Sequence, residues 1–168
     1  MRAVIATCRT AGLCLALAGC GEREIAPPEV VFGEDPCARC QMILNDERYA
    51  GAILVEDADG RRHDELFDDL NCLVEFEAEL EGGKVVARWV RDASTRTWIH
   101  AESAFYVSSP DLHTPMASGV AAFAERGSAE AEQSRSGGDL IDFAAVRVRF
   151  TPQPRPAAPA ADREGPSS

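Results

Sequence analysis

The sequence predicts an α+β fold, because segments with the alternation of strands are interspersed with segments that have helical periodicity. Residues 48–91 follow the order strand, turn, strand, helix, strand. A similar order occurs from about 84 to 150, with residues 84–91 as a candidate shared element. Residue identity between the halves is slight, so the repeat is one of pattern only. The 168 residues suffice for one modest domain with a core of its own.

Local signals are strongest in the first half of this pattern. Asp59-Gly60 is a dipeptide typical of a hairpin turn. Asp68-Asp69 places two acids where a helix N-terminus carries partial positive charge. The predicted elements are a strand within 48–57, a returning strand at 61–67, an amphipathic helix from 68-69 to a stop at Gly82-Gly83, and a strand at 84–91.

The second half is predicted from shorter and less regular segments. Residues 97–100 and 104–107 are strand-like and aromatic, and a loop follows them. The remaining predictions are a helix capped by Ser118 or Gly119 with Val120, Phe123 and Ala124 on one side, a weak helix at 128–134, and strands at 140–143 and 146–150.

Residues 1–19 have the features of an export signal, with a basic start, a short apolar run and small residues before the predicted cleavage site, which precedes Cys20. The apolar run is too short to span a bilayer, which takes about 20 residues. The tetrapeptide that ends at Cys20 resembles a bacterial lipobox, which predicts lipidation of the Cys20 thiol and a stable membrane anchor. In some bacteria an acidic residue directly after the lipidated cysteine is associated with retention in the inner membrane. Gly21 occupies that position here, so the outer membrane is favoured.

The rest of the chain divides into three predicted segments. Residues 20–34 contain Pro27-Pro28 and mixed charges, which is typical of a tether. Residues 35–150 form the folded domain. Residues 151–168 are rich in proline and alanine, cannot bury a core and are predicted to be a disordered tail.

The acidic composition excludes one class of partner. The net charge is −11, and loss of the leader with its two arginines brings it to about −13. Such a surface repels nucleic acid, which is bound through basic patches, so no nucleic-acid partner is expected. It should attract cationic or metal-bearing partners at low salt.

Three sulfur atoms lie within six residues, in Cys37, Cys40 and Met42. Thiolates and thioethers together favour Cu(I) over hard cations. A thioether adds a ligand without adding charge, so it suits a site that holds Cu(I) and then passes it on. The segment therefore indicates a copper-binding protein rather than an enzyme.

Other candidate ligands lie farther along the chain. Met116 follows a proline in a turn, and His113, three residues before it, is a candidate additional ligand. Cys72 is interpreted as a small buried hydrophobe of the helix. Once Cys8 and Cys14 are removed with the leader and Cys20 is acylated, three cysteines remain in an oxidising compartment, and an odd number indicates a free or metal-bound thiol.

Two alternatives remain open from the residues alone. A thiol–disulfide redox protein would use Cys37 and Cys40, and a disulfide between them would compete with copper. A structural zinc site would need about two further Cys or His ligands, and the remaining cysteine and histidines show no paired spacing. No Ser-His-Asp triad or phosphate loop is evident.

Several motifs together resemble one family. The combination resembles the NosL family, the nitrous oxide reductase accessory lipoproteins, over roughly residues 35–150. The motifs are Cys-x-x-Cys-x-Met-Ile at 37–43, Asp-x-Arg-Tyr-Ala at 46–50, Phe-Asp-Asp-x-x-Cys-Leu at 67–73, the aromatic run at 98–107 and Thr-Pro-Met at 114–116.

The resemblance implies a periplasmic, lipid-anchored Cu(I) metallochaperone that helps to build the copper centres of nitrous oxide reductase in denitrification. Its partners would be that enzyme and its maturation machinery. It implies two small related ββαβ-type units with antiparallel sheet and flanking helices. By position the soft ligands are Cys40, Met42 and Met116, with Cys37 as a further candidate. Gln41 and the residue after Met116, Ala117, both stand where the family often has glycine.

Overall fold

The computed structural model describes residues 25–152. The predicted leader at 1–19, the lipidation of Cys20 and residues 153–168 of the predicted tail lie outside the described residues. Residues 25–34 of the predicted tether contact the domain, because the Pro28 carbonyl accepts a hydrogen bond from Trp98 Nε1 at 3.1 Å. No helix among the described residues is long and apolar enough to cross a membrane.

The first half of the domain is an antiparallel sheet with one helix packed on it. Strand β1 lies between β2 and β3, and β4 extends the sheet beyond β3. The sequence predicted these elements to within a few residues. They are β1 (Gly51–Glu56), β2 (Arg62–Phe67), α1 (Leu70–Glu79), β3 (Lys84–Arg91) and β4 (Trp98–His100).

The second half repeats this arrangement with shorter strands. Strand β5 lies between β6 and β7, both antiparallel to it, just as β1 lies between β2 and β3. A turn of 3-10 helix at Ala101–Ser103 joins the halves. The elements are β5 (Phe105–Ser108), β6 (Val120–Phe123), α2 (Arg126–Ser136), β7 (Asp139–Ile141) and α3 (Phe143–Phe150).

The structure therefore confirms the α+β class, and each half has the order strand, strand, helix, strand. One detail of the predicted repeat is wrong. Strand β3 is not shared between the two units, because it pairs with β1 and β4 and the second unit begins at β5. We call residues 51–91 the first unit and residues 105–141 the second unit.

The helix predicted after Ser118 is wrong, since Val120–Phe123 forms β6 and pairs with β5. All four residues are buried, so both faces of the strand are covered by protein. A short apolar run that is covered on both sides shows no alternation, and its periodicity cannot separate a strand from a buried helix.

The strand predicted at 146–150 is also wrong, since Phe143–Phe150 forms α3. Alternating valine and arginine gave this segment the pattern of a strand. The Asp142 side chain caps the helix by accepting a hydrogen bond from Ala145 N at 2.8 Å. Val146 is fully buried, whereas Val148 is 73% exposed, so alternate residues do not share a face.

The largest of the apolar clusters among the described residues joins the two units. It contains Phe67 and Leu73 from the first unit together with Tyr106 and Val120 from the second, and Phe143 of α3. Neither unit covers these side chains by itself. Burial of this core is therefore the main stabilising contribution to the domain as a whole.

The buried carboxylate of Asp92 links the sheets at the end of β3. It accepts backbone hydrogen bonds from Ser94 and Thr95 in the following turn and from Ala124 beyond β6. Burial opposes its charge, but these N–H donors outweigh burial and lower the pKa of Asp92. The side chain thus fixes the turn and the second sheet to each other.

We predict that Asp92→Asn lowers the free energy of unfolding by about 1–3 kcal/mol, because the amide turns an NH₂ group toward a buried N–H donor. Urea denaturation of the soluble domain measures the change. Asp139→Asn is the matched control, because Asp139 is exposed, and it should alter stability by less than about 0.5 kcal/mol. Equal stability of the two variants would contradict the assigned role of Asp92.

Candidate metal centre

Four side chains from three segments meet beside the N-terminus of α1. The Sγ atoms of Cys37, Cys40 and Cys72 and a carboxylate oxygen of Asp68 all lie within 4.8 Å of one another. We call these four residues the cysteine group. Cys37 and Cys40 come from the loop before β1, Asp68 from the end of β2, and Cys72 from the first turn of α1.

The loop that carries Cys37 and Cys40 is a narrow hairpin held by its own backbone. Cys37 N donates to Met42 O at 2.7 Å, and Leu44 N donates to Asp35 O at 2.9 Å. A further bond from Ala38 N to Leu66 O, 2.8 Å long, fastens the loop to β2. These bonds place the Cys-x-x-Cys turn against the start of α1.

Cys37 is held as a thiolate by its surroundings. The Cys72 thiol donates to it, and backbone N–H groups of Cys40, Asp68 and Arg39 add to this effect, so the pKa of Cys37 falls to about 6 although burial opposes the charge. The pKa of Cys72 is raised, first because its proton is shared with Cys37 and then by burial. Burial, followed by the nearby negative charge, raises the pKa of Cys40. Near neutral pH the group therefore holds one thiolate and two thiols.

Asp68 is a member of the group that the sequence reasoning missed. It is 3% exposed, and its two carboxylate oxygens lie 3.5 and 3.7 Å from Cys40 Sγ. The Cys40 thiol donates to this carboxylate. The sequence interpretation treated Asp68 only as an acid at a helix start. Asp68 precedes the N-cap residue Asp69 and lies outside α1, so no helical spacing relates it to Cys72, and no local signal placed it in the group.

Cys72 is buried, as the sequence predicted, but it also belongs to the cysteine group. Its backbone N–H donates to the side chain of the preceding helix residue, Asn71 Oδ1, at 2.9 Å. The two buried sulfurs, Cys37 and Cys72, therefore lie at the inner side of the group, and half-buried Cys40 lies at its outer side.

The other predicted ligands lie around this group. Met42 is 54% exposed on the second arm of the same hairpin, opposite Cys37. Met116 is half-buried and packs against the core cluster that contains Cys37 and Cys72. His113 is exposed, its Nδ1 lies 3.1 Å from the Asp111 carbonyl, and it is not one of the four clustered residues.

The loop that carries Met116 is attached to the same turn of α1. Met116 N donates to Asp69 Oδ2 at 2.9 Å, and Asn71 Nδ2 donates to Met116 O at 3.1 Å. Asp69 and Asn71 are direct neighbours of Asp68 and Cys72 in the cysteine group. The structure thus places the Met116 loop of the second unit at the start of α1, beside which the cysteine group lies.

Both loops contain a non-glycine residue with left-handed backbone geometry. Gln41 has a φ of 64° and Ala117 a φ of 56°, a backbone region that favours glycine. The side-chain amide of Gln41 donates to the carbonyls of Cys37 and Ala38, both at 3.1 Å, which offsets the strain. The methyl group of Ala117 has no such hydrogen bond to make.

The donor set suits a soft cation. Three sulfurs and one carboxylate suit a soft metal ion such as copper, which prefers sulfur ligands. Hard cations such as Mg²⁺ or Ca²⁺ require several oxygen ligands, and the cysteine group offers only the carboxylate of Asp68. The group can therefore bind a soft metal ion near the surface.

Comparisons with known proteins agree with this picture. A model of the NosL family matches residues 30–150. The crystal structure of the copper chaperone NosL from Shewanella denitrificans superposes with a TM-score of 0.59 and 20% sequence identity, covering 70% of this chain and 93% of that one. At this identity the likeness shows a shared fold. No curated protein sequence matches the chain significantly.

We predict that Ala117→Gly raises the free energy of unfolding by up to about 1 kcal/mol, because glycine adopts the left-handed region without a steric penalty. Denaturant titration provides the measurement. Ala87→Gly in β3 is the control, since its backbone is extended, and it should lower stability by about 0.5–1 kcal/mol. A loss of stability in both variants would argue against strain at Ala117.

We also predict that the reduced, metal-free protein gains one thiolate with a midpoint near pH 6, because the pKa of Cys37 is about 6. Ultraviolet absorbance of the thiolate follows this titration. The lowered pKa means that Cys37 contributes stability above its unfolded pKa of about 8.5, and that this contribution disappears as the pH falls through about 6.

Two variants test the assignment of this titration. Cys37→Ser should abolish the transition near pH 6. Cys72→Ala should move it to higher pH, because the thiolate of Cys37 loses its strongest donor. A transition unchanged in Cys72→Ala would be inconsistent with proton sharing between these two sulfurs.

Proposed function

Because the chain belongs to the NosL family, we propose that it is a metallochaperone that binds Cu(I) and helps to assemble the copper centres of nitrous oxide reductase. The observation that carries this proposal is the cysteine group, in which three sulfurs and one carboxylate lie within 4.8 Å of one another. The similarity in fold to a copper chaperone supports it.

The layout of the sulfurs is suited to holding an ion and releasing it. Cys37 and Cys72 are buried and fixed by hydrogen bonds, so they provide a rigid inner side. Cys40 is half-buried and Met42 is exposed, so a ligand from an acceptor protein can approach the ion from solvent. Transfer would then proceed by exchange of the outer ligands while Cys37 on the inner side still holds the ion.

We assign Cys40, Met42 and Met116 as copper ligands, with Cys37 as a further thiolate donor. Met42 and Met116 contribute neutral thioethers, which limits the negative charge around a monovalent ion. His113 remains a candidate through Nε2, because the Asp111 carbonyl lies beside Nδ1.

The proposal includes a location and partners. Lipidation of Cys20 would anchor the domain to a membrane facing the periplasm, with the outer membrane favoured over the inner. The acidic surface would suit a cationic region of nitrous oxide reductase or of its maturation machinery. We propose no catalytic activity and no nucleic-acid partner.

A thiol–disulfide redox role is the second candidate, and the lowered pKa of Cys37 is the observation in its favour. In such enzymes the attacking thiolate must be accessible to its substrate. Here the thiolate belongs to Cys37, which is 0% exposed, whereas the accessible Cys40 has a raised pKa. This arrangement supports metal binding better than disulfide exchange.

We predict that the anaerobically purified soluble domain binds one Cu(I) per chain, measured by metal analysis and by competition with a chromogenic Cu(I) chelator. Cys40→Ser should abolish tight binding, and Met116→Ala should weaken it, because each removes a soft ligand. X-ray absorption of the loaded protein should show a first shell made mainly of sulfur.

Ile43→Ala is the control for Met42→Ala, because Ile43 is the next exposed apolar side chain of the same hairpin and has no donor atom. Binding should be weakened only by Met42→Ala. Disulfide exchange with small thiols that survives both methionine substitutions, together with absence of Cu(I) binding, would instead support the redox candidate.

A further inference from the structure

A second buried carboxylate, Asp69, lies beside the cysteine group without belonging to it. Asp69 is 0% exposed and caps α1 by accepting a hydrogen bond from Leu70 N at 2.7 Å. Its neighbour Asp68 contacts Cys40. The other contacts of Asp69 run to the loop at 114–118, which lies between β5 and β6 in the second unit.

The contacts of Asp69 with this loop are unusually dense. Oδ2 accepts hydrogen bonds from Thr114 Oγ1 at 2.6 Å, from Met116 N at 2.9 Å and from Ser118 N at 3.3 Å. Oδ1 accepts a further bond from Ser118 Oγ. One side chain of α1 therefore fixes residues on both sides of Met116 as well as the backbone of Met116 itself.

The loop has little else to hold its shape. Its internal backbone bond runs from Ala117 N to Thr114 O at 3.0 Å, and Ala117 adopts a left-handed conformation that alanine disfavours. The hydroxyl groups of Thr114 and Ser118 also bond to each other, at 3.1 Å, but both are oriented by Asp69. Apart from this carboxylate, Asn71 also attaches the loop to α1, through one hydrogen bond from Nδ2 to Met116 O at 3.1 Å. Removal of the carboxylate would therefore loosen the loop on α1.

We propose that Asp69 is a positioning residue that holds the Met116 loop against the cysteine group, so that the thioether is in place before copper arrives. This inference rests on the proposed function, because it requires Met116 to be a Cu(I) ligand. Asp69 itself binds no metal. It acts by removing the entropy cost of ordering the loop when the ion binds.

A carboxylate is needed at this position for a chemical reason. Ionised Asp accepts hydrogen bonds at both oxygens and donates none. Donors from Leu70 and Ser118 reach Oδ1, and donors from Thr114, Met116 and Ser118 reach Oδ2. In Asp69→Asn an NH₂ group replaces one of the two oxygens and faces a backbone N–H donor, so the hydrogen bonds accepted by that oxygen are lost.

The test measures Cu(I) affinity in a double-mutant cycle of Asp69→Asn and Met116→Ala, using chelator competition on the soluble domain. We expect Asp69→Asn to weaken binding by about 10- to 100-fold, the range typical of residues that orient metal ligands. In the Met116→Ala background Asp69→Asn should cause no further loss, because the thioether it positions is already absent.

A second measurement needs no copper. Amide hydrogen exchange at Met116 and Ser118 in the metal-free protein should become faster in Asp69→Asn, whereas exchange in β1 should stay slow. Thr114→Val is a milder variant that keeps the carboxylate and removes one donor to it. It should weaken Cu(I) binding less than Asp69→Asn and in the same direction, so the proposal remains testable if Asp69→Asn folds poorly.

Asp92→Asn is the matched control. Asp92 is also a buried carboxylate with several backbone N–H donors, but its partners are Ser94, Thr95 and Ala124. It should lower stability without changing Cu(I) affinity. An equal loss of affinity in Asp92→Asn would show that destabilisation alone weakens the site, and it would overturn the proposal.

The remaining outcomes separate this inference from the proposed function. Wild-type protein that binds no Cu(I) would refute the function itself. Wild-type binding that depends on Met116 but is unchanged in Asp69→Asn would overturn only the positioning role. An equal loss from Asp69→Asn with and without Met116 would also overturn it, because the two residues would then act independently.

Discussion

The first turn of α1 is the place on which the arrangement of the sulfurs depends. Asp68 and Asp69 are consecutive and both buried, yet their carboxylates bind different loops. Asp68 contacts Cys40 of the hairpin before β1, and Asp69 holds the Met116 loop of the second unit. A helix N-terminus tolerates this concentration of negative charge, because its free N–H groups and dipole favour anions.

The thiol protons follow from the same local geometry. Cys37 loses its proton most easily because a neighbouring thiol and backbone N–H groups solvate its charge, while Cys40 retains its proton beside the carboxylate of Asp68. An incoming Cu(I) ion would thus meet an existing thiolate at the inner side of the group. Cys40, the outer cysteine, would then need to release its proton to become the second thiolate ligand.

Sequence reasoning worked where the local signals are strong, and it failed where burial on both faces hides the periodicity or where a local cap was not recognised. The hairpin at Asp59-Gly60 and the helix start at Asp69 are local signals, and the first unit was predicted well. The helix predicted at β6 was wrong because Val120–Phe123 is buried on both faces, so its sequence shows no alternation. The strand predicted at α3 was wrong because the cap at Asp142 starts a helix in spite of the alternating sequence.

The site was predictable to a similar degree. The spacing of Cys37 and Cys40 identified half of the cysteine group, and Asp68 and Cys72 join it only through the packing of α1 on the hairpin. The link between Asp69 and Met116 spans 47 residues, and no local pattern indicates it. Contacts of that kind become visible only when both loops are placed in three dimensions.

The cluster shared by the two units would give a bound metal ion an influence beyond its ligands. Phe67 and Tyr106 belong to one cluster, so the halves are expected to unfold together rather than one at a time. An ion that binds only the native protein stabilises every part of such a cooperative structure, in proportion to the logarithm of its concentration. The copper-loaded chain would then resist periplasmic proteases for longer than the empty one, and the supply of the metal would help to set how much of its carrier persists.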